Sequence, residues 1–195
     1  LFVTGLGAAL AGCAPRVETA ANDEVLVRMT CGEGDILLRL HARQAPVTVG
    51  NFLRYVDAGL YARASFYRTV RPAGDVNPTP INVIQGGLGA PSAHFEPIPV
   101  ETTSVTGLSH VDGTISMARQ APGWPVADAT SEFFICLGDN RALDYGGARN
   151  LDGLGFAAFG HVAEGMDVVR RIHAMPTGPG GEGTNWRGQM LAAPV

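Results

Sequence analysis

Apolar runs in this chain are short, and turn residues close off nearly every one. Glycine (26) and proline (13) make up a fifth of the 195 residues. Such punctuation rules out long helical bundles and repeating strand–helix–strand units, and it points to a fold of short strands joined by tight loops. Val25, Val27 and Met29 alternate with other residues across Glu24 to Cys31, the pattern of a half-buried strand. Gly32-Glu33-Gly34-Asp35 supplies a turn, and Asp35 to Leu40 returns as the second strand of a hairpin. Further strands are predicted at Ser65 to Val70, Asn82 to Gln85, Gly113 to Met117, Glu132 to Leu137 and Phe156 to Val162.

Two helices interrupt this pattern. Val49, Phe52, Leu53 and Val56 fall at i, i+3, i+4 and i+7, with Pro46 near the start and Gly59 just past the end. Met166, Val169, Ile172 and His173 mark one face of a second helix from about Met166 to Ala174. Many short strands with two helices predict a mainly β fold, a closed antiparallel barrel with helical caps.

Composition removes several function classes. The net charge is −4, whereas a nucleic-acid partner demands a basic face. All 14 basic residues are arginine, so Schiff-base and P-loop lysine chemistry is excluded. The five histidines share no metal-ligand spacing, and no metal is expected. Gly178, Gly180 and Gly183 spell a dinucleotide fingerprint, but they follow a helix instead of a strand. Glu96 with Glu101, or Asp139 with Asp144, could be posed as acid/base pairs, but nothing marks them out.

The first twelve residues are uncharged and too short to span a bilayer. They fit the end of a signal-peptide core, and Leu10-Ala11-Gly12-Cys13 resembles a bacterial lipobox. This reading makes residues 1–12 a signal remnant, Cys13 the lipidated residue and residues 13–23 a tether. The expected product is an exported, periplasmic lipoprotein anchored to the membrane. Cys31 and Cys136 are expected to stay unpaired with each other.

Six motifs in register then carry a family resemblance. They are Phe66-Tyr67-Arg68-Thr69-Val70, Val83-Ile84-Gln85-Gly86-Gly87, Ser116-Met117-Ala118-Arg119, Glu132-Phe133-Phe134-Ile135, Leu143-Asp144 and Phe156-Ala157-Ala158-Phe159-Gly160. In order and spacing they resemble the cyclophilins, peptidyl-prolyl cis-trans isomerases, and above all the bacterial branch. The resemblance covers about residues 24–178 and leaves 179–195 as a C-terminal tail. It implies a closed eight-stranded antiparallel β-barrel capped by two α-helices, no cofactor, proline-containing polypeptide clients and a monomer.

The resemblance also implies site roles. Arg68 would be the catalytic donor, with Gln85 beside it. Tyr67, Asn82, Val83, Met117, Ala118, Arg119, Glu132, Phe134, Leu143 and Phe156 would bind substrate. An arginine suits the task, because it is always charged and offers several donors to a twisted prolyl nitrogen. Three positions depart from the family: Asn82 replaces a pocket aromatic, Ala142 a tryptophan or phenylalanine, and Glu132 a substrate-binding glutamine. The loop between Arg68 and Gln85 is longer than usual, with Pro72, Pro78 and Pro80. An Arg68–Glu132 ion pair would hold the guanidinium away from substrate. The sequence therefore implies an isomerase of weakened or altered activity, or else a proline-peptide-binding chaperone or assembly lipoprotein with little catalysis.

Overall fold

A computed structural model describes residues 14–19, 24–89, 95–119, 127–181, 184 and 186–195. In chain order its elements are β1 (Ala14–Thr19), β2 (Val25–Cys31), β3 (Gly34–Leu40), α1 (Pro46–Asp57), β4 (Ser65–Val70), β5 (Val83–Gly87), β6 (Ile98–Pro99), α2 (Thr103–Thr106), β7 (Thr114–Met117), β8 (Ala127–Ala129), β9 (Phe133–Cys136), β10 (Ala157–Glu164) and α3 (Met166–Ala174). Eight strands form one curled antiparallel sheet in the order β1-β2-β3-β10-β7-β9-β5-β4, and β6 pairs with β8 in a separate ribbon.

The expected closed barrel is corrected by this topology. The sheet is open, with β1 and β4 at its two ends and no ladder between them among the described residues. The described residues also hold three α-helices, α2 being a single four-residue turn. Closure depends on pairing between segments far apart in the chain, which local alternation does not encode. Two further expectations change at the ends. Ala14–Thr19, assigned to a tether, pairs antiparallel with β2. Residues 189–195, assigned to a tail, run along the outer edge of β4. Thr69 N–H donates to Gln189 O (2.8 Å), Leu191 N–H to Tyr67 O (2.8 Å) and Val195 N–H to Phe66 O (3.1 Å). That edge is thereby denied to other chains. Cys13 lies outside the described residues.

The core is split in two. The larger part packs the buried face of α1, including Val49, Phe52, Tyr55 and Val56, against the sheet. Phe52 sits among the rings of Tyr61, Phe133 and Phe159, with centroids 5.0–5.7 Å apart. α1 has no side-chain cap of its own. The Glu101 carboxylate takes that place, accepting from Thr48 N–H (2.7 Å), Thr48 Oγ1 (2.6 Å) and Val47 N–H (3.2 Å), where a negative charge meets the helix dipole. Its charge is thus absorbed by the fold. The smaller core gathers Val70, Ile81, Val83, Phe134, Cys136 and Leu143. Cys31 and Cys136 are both buried and do not pair with each other.

The long loop after β4 is tied down at both ends. Arg71 donates to the carbonyls of His173 and Met175, closing the C-terminus of α3. Asp75 accepts from Asn77 N–H and Ile81 N–H and pairs with Arg149 (2.5 Å), which also reaches Thr79 O (2.8 Å). Both members of the pair are largely buried. Removing one partner leaves an uncompensated charge, so Asp75→Ala should lower unfolding free energy by about 3–5 kcal/mol in urea titration.

His41, just past the end of β3, and His161, within the neighbouring β10, bring Nε2 and Nδ1 to 3.0 Å. Burial holds both below their usual value, with Arg39 pushing the same way and Glu24 opposing; His161 adds to the effect on His41. The unfolded chain therefore takes up these protons first, and stability falls as pH drops below about 6.5. Tm should decrease from pH 7.5 to 5.5, and the double variant His41→Gln/His161→Gln should show a flatter profile over that range.

Candidate active site

β4 and β5 place the two central side chains opposite one another. Arg68 pairs in register with Gln85, after an irregularity between Phe66 and Arg68. Arg68 Nη1 donates to Gln85 Oε1 (2.7 Å). Gln85 Nε2 in turn donates to the Tyr67 hydroxyl (2.8 Å), which donates to Glu132 Oε2 (2.5 Å). Glu132 also accepts from Gly89 N–H (3.0 Å) and Ser131 Oγ (3.1 Å). The feared Arg68–Glu132 pair does not form. Two side chains stand between the carboxylate and the guanidinium.

Glycines make this arrangement possible. Gly87 has a φ of +146°, and a Cβ there would lie 2.6 Å from the Glu132 carboxylate. A side chain at Gly86 would meet Phe66 Cδ1 and Ser65 O at 2.9 Å. Beside Glu132, burial pushes the Tyr67 phenol upward, and the carboxylate reinforces the shift. Tyr67 is therefore a neutral spacer throughout the physiological range.

The other hand of the guanidinium is held by a residue that sequence reading missed. Gln189 Oε1 accepts from Arg68 Nε (3.0 Å) and Nη2 (2.6 Å). The Trp186 ring centroid lies 5.0 Å from the guanidinium carbon. Burial lowers the arginine to about 10, with Arg149 adding to this and Asp75 opposing, so it stays charged at neutral pH.

Arg68 and Gln85 open onto a groove of about 530 Å³. Its floor is built by Val83, Phe134 and Leu143 of the small core, with Phe156 edge-on to Phe134 (5.4 Å, 88°). Ala118 and Arg119 line it as well, Arg119 being anchored to Asp152 (2.8 Å) and Gly155 O (2.8 Å). Three bulky apolar residues crowd the rim from separate loops: Val76 (69% exposed), Leu151 (96%) and Trp186 (46%).

Four expected site residues do not line the groove. Met117 is wholly buried in the main core. Asn82 binds its neighbours instead: its N–H donates to Asn140 Oδ1 (2.7 Å), while its side-chain oxygen is buried without a partner. Tyr67 and Glu132 belong to the hydrogen-bonded chain behind Gln85.

His110 supports the floor from beneath. It stacks on Phe134 (5.9 Å, 20°), with Asp144 Oδ1 2.6 Å from Nδ1 and Ser116 Oγ 2.9 Å from Nε2. Burial works against the Asp144 charge, but hydrogen bonds from His110 and Ser109 outweigh it and hold the carboxyl below its ordinary value. The Asp-His-Ser order suggests a hydrolase. His110 and Ser116 are wholly buried, so no substrate carbonyl can reach that hydroxyl.

Comparison with known proteins agrees with this geometry. The family model for "Cyclophilin type peptidyl-prolyl cis-trans isomerase/CLD" matches residues 26–187. Peptidyl-prolyl cis-trans isomerase B of Escherichia coli is 37% identical over 161 residues, covering 80% of this chain and 88% of its own. Peptidyl-prolyl cis-trans isomerase A of Dickeya dadantii is 36% identical, covering 81% and 76%. Among solved structures, a Cryptosporidium parvum cyclophilin, crystallised in the presence of the dipeptide Ala-Pro, shares the fold with a TM-score of 0.61 at 19% identity, covering 87% of this chain and 97% of its own. A cyclophilin from Hirschia baltica gives a TM-score of 0.58 at 19% identity, over 93% and 76%. The curled sheet, the groove and the match across most of its length make this chain a member of the cyclophilin-type peptidyl-prolyl cis-trans isomerases.

Proposed function

We propose that this isomerase works through Arg68, with the substrate proline seated on Val83, Phe134, Leu143 and Phe156. Rotation about an amide must break resonance worth about 18–20 kcal/mol. For X-Pro the two end states are close in energy, so only the barrier needs lowering. At the halfway twist the prolyl nitrogen regains its lone pair and becomes a hydrogen-bond acceptor. A charged guanidinium beside the proline slot stabilises that state more than either planar state, which is the requirement for catalysis. The observation that carries this reading is the Arg68 charge, held at the groove by two neutral amides and paired with no carboxylate among the described residues.

Binding without turnover is the second reading, and the missing aromatics at Asn82 and Ala142 favour it. A protease-coupled assay on an X-Pro tetrapeptide separates the two. Arg68→Ala should lower kcat/KM by about 10²-fold, the usual cost of removing a preorganised donor, while peptide affinity changes little. A wild type that binds the peptide but isomerises it no faster than the uncatalysed rate would leave only a binder, and an Arg68→Ala variant as fast as an active wild type would overturn the role of Arg68.

Clients in this reading are exported polypeptides whose folding waits on proline isomerisation. What supports export is the apolar stretch Leu1–Gly12 running into Leu10-Ala11-Gly12-Cys13. Lipidation at Cys13 should appear as incorporation of labelled palmitate in the producing cell, and Cys13→Ser should abolish it and release the protein from the membrane fraction.

A further inference from the structure

Residues 189–195 are bound along β4, which with the preceding turn brings two side chains, Gln189 and Trp186, to the catalytic arginine. Gln189 is 2% exposed, and its own Nε2 is occupied by Gly74 O (3.3 Å). Its Oε1 takes one hydrogen from Nε and one from Nη2 of Arg68, while Gln85 takes one from Nη1. A guanidinium carries five N–H groups. Two therefore stay open among the described residues, one on each terminal nitrogen.

The chemistry of the two holders is the telling feature. A carboxylate at position 189 would pair with the charge that the twisted amide needs. An apolar residue would leave buried donors unsatisfied and the long side chain free to swing. A neutral amide fixes the fork and leaves its charge unspent. The Arg68 guanidinium carbon lies over the Trp186 ring, and attraction between the cation and the ring helps to hold it there. The same ring is nearly half exposed and lines the groove. It thus supplies an aromatic wall that positions 82 and 142 lack.

We propose that Gln189 is a positioning residue for Arg68 and that Trp186 is a substrate-contacting wall of the groove. The proposal rests on the Arg68 reading above. The family match ends at residue 187, so Gln189 lies outside it.

The test compares wild type, Gln189→Met, Trp186→Ala, Arg68→Ala and the double variant Gln189→Met/Arg68→Ala. For each, kcat and KM are measured on the X-Pro tetrapeptide. Gln189→Met, which removes two charge-assisted bonds, should lower kcat about tenfold or more, with KM nearly unchanged. Nitrogen-15 NMR should show faster solvent exchange of the Arg68 Nε–H, and the double variant should be no slower than Arg68→Ala. Gln189→Asn, which draws the oxygen back by one methylene, should behave alike and serves if the methionine variant does not fold. Trp186→Ala, at an exposed site, should raise KM several-fold. In a Trp124→Phe background the tetrapeptide should change Trp186 emission. Unchanged or raised kcat in the Gln189 variants, beside an inactive Arg68→Ala, overturns the positioning role. An emission blind to saturating peptide overturns the wall. A fully active Arg68→Ala would instead defeat the reading on which both depend.

Discussion

A buried guanidinium can be stabilised by an opposite charge or by neutral dipoles, and the choice decides what it can do next. Here Gln85 and Gln189 hold Arg68 without cancelling its charge. The nearest carboxylate on the same network, Glu132, is reached only through Gln85 and Tyr67. The spacing depends on backbone as much as on side chains. Gly87 leaves the space the Glu132 carboxylate occupies, and Gly89 offers it an N–H. The departure at Glu132 is accommodated by turning the carboxylate toward Tyr67 and away from the groove.

The groove floor is not a separate construction. Val83, Phe134 and Leu143 form a small core that would exist for stability alone, and one side of it lines the groove in which we propose the proline sits. Close packing makes such a floor stiff. His110, clamped by Asp144 and Ser116, fixes Phe134 from below. The Asp75–Arg149 pair fixes the rim loop above. A buried ion pair contributes little net stability, but it specifies where a long loop must lie.

Local pattern made much of this legible. Ser65–Val70 and Met166–Ala174 have the bounds that alternation and helical spacing suggest. Arg68, Gln85, Val83, Ala118, Arg119, Phe134, Leu143 and Phe156 come together as the motif resemblance implies. What stayed hidden depends on contacts between distant segments. Whether Met117 faces core or groove is a matter of pleat and register, and the direction of Glu132 depends on a hydroxyl 65 residues away. Gln189 sits in Trp186-Arg187-Gly188-Gln189-Met190-Leu191, just after a glycine-rich loop, with no alternation to signal a strand partner. The open sheet was missed for the same reason, since nothing local says whether its two end strands meet.

The distance in sequence between Arg68 and Gln189, 121 residues, has a bearing on the order of events in the cell. A chain emerging from the ribosome exposes the arginine and its first holder long before the second. Until segment 186–195 has left the tunnel and docked on β4, the nascent protein carries a half-assembled catalyst. On the reading proposed for Gln189, the enzyme would acquire its full rate only once that segment has docked beside Arg68.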